Sequence, residues 1–343
     1  MKAFGKAPTG NRLNRIHQSA HYRQGGFKNL VDTVLMAEGT SYLKLTYEFF
    51  TNKVMEPQQP LPVVKTDLKT LKSDGPVLIW FGHSSYFLKI DDFNILIDPV
   101  FNEMPSPFQS IGKKAFPMSY EYTVNDMPDQ IDLVMITHDH YDHLGYHTIK
   151  QLKSRVKMFY TSLGVGAHLE YWGVNADKIV EFDWWEKRTF AHTIEITATP
   201  SRHFSGRLFK RNQTLWSSFV LKAATHKIFI GGDSGYDSTF KIIGEKFGPI
   251  DFAILECGQY DKKWPGIHMS PEEAAQASID LKAKAFIPVH WGKFTLAMHS
   301  WNDPADRILK KADELGAVMT TPMIGEPVFL DKPLPLKRWW QNF

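Results

Sequence analysis

Ile136-Thr137-His138-Asp139-His140-Tyr141-Asp142-His143-Leu144-Gly145 continues an apolar run, Ile131 to Ile136, that reads as a buried strand. Three histidines and two aspartates fall within the six positions from 138 to 143. A packed core has no use for that composition, because imidazoles and carboxylates are costly to bury unless paired or bound to a metal. Neutral imidazole together with ionised carboxylate is the donor set of zinc-like divalent ions. The stretch therefore predicts a metal-binding loop at a strand end, against the plainer alternative of solvated histidines in a polar loop.

The rest of the chain sets the bounds. With 343 residues, 43% of them hydrophobic, it can bury a large core as one big domain or two halves. A formal net charge of +3 gives no reason to expect a nucleic-acid partner. The single cysteine, Cys257, excludes a disulfide framework and a structural zinc ribbon, permits a reducing compartment, and reads as a small buried residue. No apolar run reaches the roughly eighteen residues of a transmembrane helix, and Met1 to Lys6 lacks the apolar core of a secretion signal. The expected location is cytoplasmic or peripheral to a membrane.

Residues 1–70 read as an N-terminal extension. Lys2, Lys6, Arg12, Arg15, Arg23 and Lys28 precede the first acidic residue, Asp32. Such a head is expected to be an extended arm with solvated charges, or to touch an anionic membrane surface. From Leu30 to Lys53 the apolar residues recur at helical spacing, which predicts one or two helices covering the core. Residues 55–64 form a proline-rich linker.

Residues 71–343 read as the catalytic body. Strands are predicted at Val77–Phe81, Ser85–Ile90, Asn94–Ile97, Ile131–Ile136, Val156–Thr161 and Thr193–Thr199, then at Trp216–Leu221, Lys227–Ile230, Asp251–Glu256 and Ala285–Val289. Helices are predicted at Tyr146–Lys153, Val165–Trp172, Thr239–Phe247, Pro271–Leu281 (capped by Ser270) and Pro304–Leu315 (capped by Asp303). This order suggests two packed sheets flanked by helices. The irregular run Asn102–Pro128 is a candidate substrate-lining loop. Ligand sites of open α/β sheets lie at the carboxyl ends of strands. His203, Asp233 and His290 sit at three such ends, and with the loop they make a candidate site.

The order His-x-His-x-Asp-His resembles the metal-binding motif of the metallo-β-lactamase superfamily. That resemblance implies an α/β fold, an αββα sandwich with two similar halves. Carried over residue by residue, it implies that His138, His140 and His203 hold one divalent ion and Asp142, His143 and His290 a second. Asp233 would bridge the two, and with Asp142 would belong to the catalytic machinery. The implied cofactor is a pair of divalent ions, zinc foremost, with manganese or iron as substitutes. The pair would lower the pKa of a bridging water to make a hydroxide nucleophile. Asp98, and with it His83, would stand behind the ligands and orient their imidazoles.

Trp80-Phe81-Gly82-His83-Ser84-Ser85, Leu96-Ile97-Asp98-Pro99, the His203 segment, Gly232-Asp233-Ser234-Gly235-Tyr236, His268-Met269-Ser270-Pro271-Glu272-Glu273 and His290-Trp291-Gly292-Lys293-Phe294 look like the N-acyl-phosphatidylethanolamine-hydrolysing phospholipase D branch. The similarity spans residues 75–310, with Glu256 to Ile267 following the pattern only loosely. It implies a phosphodiesterase acting on a phospholipid-type or other small phosphodiester. His268 would bind phosphate or assist the leaving group, and Arg207 and Tyr260 would contact substrate. The alternatives are a lactonase similar to the ascorbate-phosphate lactonase branch and a metal-binding scaffold without catalysis.

Overall fold

Alternate residues of the buried strands face two different cores. In Val77–Trp80, Val77 and Ile79 pack with the helices Tyr146–Leu152 and Gly166–Tyr171, whereas Leu78 and Trp80 pack toward a second sheet. Leu96 against Ile95 and Ile97, and Val134 and Ile136 against Leu133 and Met135, divide in the same way. A strand apolar on both faces has to be covered on both. The computed structural model describes residues 1–51, 55–101, 104–110, 113–207 and 210–343.

The first sheet runs Pro327–Phe329, Val77–Trp80, Tyr86–Ile90, Phe93–Ile97, Ile131–Ile136, Val156–Ser162, Ile179–Phe182 across its width. The last four of these strands are parallel. The second runs Phe286–Val289, Phe252–Glu256, Lys227–Ile230, Ser218–Lys222, Ile194–Thr199, Lys187–Phe190, the first three parallel. Ile194, Ile196, Phe219, Ile228 and Ile230 meet the first sheet's inner face. Thr239–Phe247, Pro271–Asp280 and Asp303–Leu315 supply Phe240, Ile243, Ala274, Ala277, Ile308 and Ala312 to the same core. The result is the four-layer αββα sandwich.

Most predicted elements lie within a residue or two of their observed ends. Helix Pro271–Asp280 begins with a full capping box between Ser270 and Glu273. The last long helix starts one residue early, at Asp303, whose carboxylate is taken by Tyr260 and Arg307 instead of capping. Three unpredicted strands, Ile179–Phe182, Lys187–Phe190 and Pro327–Phe329, lie at sheet edges. They are short and partly exposed, so they carry little apolar alternation.

The N-terminal expectations need correcting. The basic head is not a solvated arm: it contains helix Gly10–Gln18 and a small hairpin, Tyr22–Arg23 with Gly26–Phe27. Arg12 pairs with Glu181 (2.8 Å) and Glu170 (3.0 Å), and Arg15 with Glu186 (2.6 Å). Ile16 and Phe27 bury against Leu163, Trp184, Leu215 and Trp216. Between Leu30 and Thr51 only Tyr42–Thr51 is helical, and Leu43 and Tyr47 are 86% and 70% exposed, so these residues do not cover the core. Lys53, the predicted end of that stretch, lies outside the described residues.

Candidate metal centre

The strand Ile131–Ile136 is buried along its whole length and delivers Thr137 to Asp98. The Thr137 N–H donates to Asp98 Oδ1 (2.8 Å) and its hydroxyl to Oδ2 (2.6 Å). The chain then closes one turn, with the N–H groups of His143 and Leu144 donating to the His140 carbonyl (3.2 and 2.8 Å). The turn brings His138, His140 and His143 close together, with the His138 ring centroid 4.5 Å from that of His140 and 4.1 Å from that of His143.

Three side chains come from backbone in the left-handed region: His83 (φ 52°), Asp98 (φ 41°) and His290 (φ 70°). Such conformations cost about 1–3 kcal/mol each in a residue with a Cβ and concentrate at functional sites. All three immediately follow or lie near strand ends that converge on the loop.

The convergence produces two neighbouring groups of four. His138, His140, His203 and Asp233 each present a donor atom within 4.8 Å of the others, and so do His83, Asp142, His143 and His290. Asp233 lies between them. Its Oδ2 is 3.2 Å from His143 Nε2, 3.6 Å from His203 Nε2 and 3.7 Å from His138 Nε2, and its Oδ1 is 3.3 Å from His290 Nδ1. A third group joins Asp233, His268 and His290. All of these side chains except His140 and His268 belong to fully buried residues.

Backing groups orient the rings. His143 Nδ1–H donates to Asp98 (2.7 Å) and His203 Nδ1–H to the Ile267 carbonyl (2.8 Å), which leaves both Nε2 atoms facing Asp233. Ser84 Oγ meets His290 Nδ1 at 2.8 Å, and His83 Nε2 meets Asp142 Oδ2 at 2.8 Å.

Burial holds His138, His203 and His290 well below the ordinary histidine pKa, and lowers His140 as well. They are thus neutral donors. Burial would raise Asp142 and Asp233, but neighbouring histidines, His143 foremost, hold both well below the carboxylate range. His143 itself is pushed well above its usual value, because Asp233, Asp142 and Asp98 outweigh its burial. A cation at this point would take over the charge that His143 otherwise balances, releasing its proton.

The donor set fits a divalent metal. His143 Nε2, His290 Nε2 and Asp233 Oδ1 are buried without a hydrogen-bond partner, which a native interior tolerates poorly unless something binds there. Imidazoles and carboxylates without thiolate suit zinc and its first-row neighbours. Cys257 is wholly buried, its thiol pushed well up by desolvation.

Other predicted site residues fall elsewhere. Arg207 is buried behind the loop, not open to substrate: its guanidinium donates to the carbonyls of Asp139 (2.8 Å), Leu144 (2.7 Å) and Ala3 (2.8 Å). Tyr260 bonds Asp303 and stacks on His299, with ring centroids 4.2 Å apart. Neither joins a candidate metal group. His268 does lie beside the cluster, with its ring centroid 5.0 Å from that of His203 and 5.1 Å from that of His290. The described part of the 102–128 loop lines a cavity of about 320 Å³ with Phe81, Lys293 and Ile324, and no clustered histidine or aspartate borders it.

Two residues escaped sequence reasoning. Asp139, between two histidines of the motif, braces the loop from behind, accepting from Gly206 N–H (2.8 Å), Thr214 Oγ1 (2.9 Å) and His168 Nε2 (3.2 Å). Glu256 ends a second-sheet strand beside His268. Both are ordinary acidic residues until the fold supplies their partners.

These features define a metal-dependent hydrolase of the metallo-β-lactamase fold. The family profile described as "Beta-lactamase superfamily domain" matches residues 93–291, and the chain belongs to that superfamily. It is 36% identical over 331 residues to an uncharacterized protein of Mycobacterium tuberculosis, covering 94% of this chain and 88% of the relative. It is 30% identical over 278 residues to N-acyl-phosphatidylethanolamine-hydrolyzing phospholipase D 1 of Caenorhabditis elegans, covering 76% of each. Among solved structures, the metallo hydrolase Igni18 of Ignicoccus hospitalis has the same fold, with a TM-score of 0.58 at 21% identity, over 74% of this chain and 97% of that one.

Proposed function

We propose that this chain is a dinuclear metal-dependent phosphodiesterase that cleaves a phospholipid-type phosphodiester in the manner of a phospholipase D. The observation that carries the reading is Asp233, whose oxygens lie within 3.7 Å of ring nitrogens from both four-residue groups, with His268 at their edge. The 30% identity to a relative named for that reaction supports the substrate class.

His138, His140 and His203 would hold one ion, Asp142, His143 and His290 the other, and Asp233 both. Two divalent ions, zinc or else manganese or iron, would supply Lewis acidity toward phosphoryl oxygens and would make bound water more acidic. The protein contributes the rest. Asp98, Ser84 and the Ile267 carbonyl fix the ring orientations. Burial keeps His138, His140, His203 and His290 neutral and the site dry, so charge on the substrate is felt strongly. His268 gives a proton from Nε2 to the departing alcohol.

No helix among the described residues is long and apolar enough to cross a membrane. A lipid substrate would be met at a membrane surface by peripheral contact, to which Lys2, Lys6, Arg23 and Lys28 of the basic N-terminus would contribute. Assay of the metal-loaded protein against bis(4-nitrophenyl) phosphate, N-acylated phosphatidylethanolamine vesicles and a lactone panel tests the reading. Metal-dependent phosphodiester turnover is expected; lactone turnover alone would overturn it.

A further inference from the structure

Strand Phe252–Glu256 ends in a carboxylate with no solvent exposure. Glu256 Oε1 accepts the Met269 N–H at 2.7 Å and lies 3.4 Å from His268 Nδ1, while Oε2 has no partner. His268 Nδ1 is also buried without a hydrogen bond, so the 12% exposure of that side chain belongs to the rest of the ring. The ring is stacked on His290, 20° from parallel. Tying down the Met269 N–H uses one carboxylate oxygen and needs no charge; a neutral amide would serve. A buried carboxylate is costly without a cationic or strongly donating partner, and the nearest ring nitrogen is His268 Nδ1.

We propose that Glu256 is the positioning residue for His268: it draws Nδ1–H toward the strand end and thereby presents Nε2 to the leaving oxygen of the substrate. The inference rests on the phosphodiesterase reading above. In the step concerned, a water-derived oxygen forms the new bond to phosphorus, the bond from phosphorus to the leaving oxygen breaks, and its electron pair stays on that oxygen. The proton moves to it from Nε2, and Nδ1–H remains between the ring and Glu256. Glu256 Oε1 faces Nδ1 from the strand end, so the proton that leaves is the one on Nε2. Contacts of this kind are commonly long without substrate and shorten in the reacting complex, which accommodates the 3.4 Å separation.

A leaving group that departs readily as an anion has little need of an acid, whereas an alkoxide needs one. The test compares zinc-loaded wild type, Glu256→Gln and His268→Ala on bis(4-nitrophenyl) phosphate and on a dialkyl phosphodiester, with zinc content measured in parallel. The ratio of alkyl to aryl kcat should fall about a hundredfold in His268→Ala and about tenfold in Glu256→Gln, at undiminished zinc content. An equal loss on both substrates, no loss, or loss of zinc would overturn the proposal. If Glu256→Gln does not fold, Glu256→Asp, which keeps the charge but shortens its reach, is read by the same ratio. Independently, ¹⁵N–¹H spectra of the zinc-loaded protein should show a proton on His268 Nδ1, assigned by its loss in His268→Ala and shifted in Glu256→Gln. A bare Nδ1 would overturn the proposal. Wild type that cleaves neither diester would remove the phosphodiesterase reading, while the spectra would still decide what Glu256 does to His268.

Discussion

The loop from Thr137 to Gly145 has two faces, and they are built on opposite rules. Behind it, Asp139, His168 and Thr214 are buried, and none leaves a buried polar atom without a partner. Even the far side of His168 is used: its Nδ1 accepts the Lys6 N–H at 3.0 Å. In front, an equally buried set leaves His143 Nε2, His290 Nε2 and Asp233 Oδ1 without partners. A satisfied polar network is scaffold; buried donors with free lone pairs, aimed at one another, make a place for something else. The same composition, histidine with aspartate, thus does structural duty on one side and offers binding atoms on the other.

The largest effect separating the faces is expected from the front. Asp233→Ala should lower metal-dependent turnover by about 10⁴-fold or more, the scale on which one member of a catalytic unit acts. Metal content should fall with it, while the chain stays folded by circular dichroism. The rear face should answer in stability instead. Asp139→Ala strips a buried charge from its partners and should cost about 3–5 kcal/mol, read from the urea midpoint, with metal per folded molecule retained.

That second effect has a pH signature. Burial would raise the Asp139 carboxyl, but His168, His140 and Arg207 hold it below the carboxylate range. A lowered folded-state pKa adds stability that is complete above the unfolded value and is lost as pH falls through the folded one. The gap between wild type and Asp139→Ala, measured by urea unfolding, should therefore be full at pH 7 and shrink below about pH 4.

Smaller effects grade the front face. Asp98→Asn, which weakens the acceptor behind His143, should reduce metal affinity about 10- to 100-fold in competition with a chelator. Ser84→Ala removes one neutral contact to His290 and should cost only about fivefold, near 1 kcal/mol.

The front face was largely legible in the sequence and the rear was not. His138 to His143 advertise themselves by packing ligand types after a buried strand, and His203, Asp233 and His290 by standing at strand ends. The two-sheet architecture followed from the same apolar runs, since strands buried on both faces leave few ways to be covered. For Arg207 the family resemblance implies a substrate contact. Its actual partners are backbone carbonyls, including that of Ala3, which no pattern of side chains announces. The packing of the N-terminal arm is hidden for a similar reason: Glu170, Glu181 and Glu186, which receive its arginines, are assembled only by the fold. Exposed edge strands and the 30–51 segment lacked the periodicity that marks burial, or carried it without burial.

The most direct measurement is a calorimetric titration of metal-free protein with zinc, run on wild type, Asp139→Asn and Asp233→Ala. Two equivalents should bind to wild type and to Asp139→Asn, and the pair should be lost in Asp233→Ala. Binding of one equivalent or none to wild type, or equal losses in the two variants, would contradict a two-metal front face set on a structural rear.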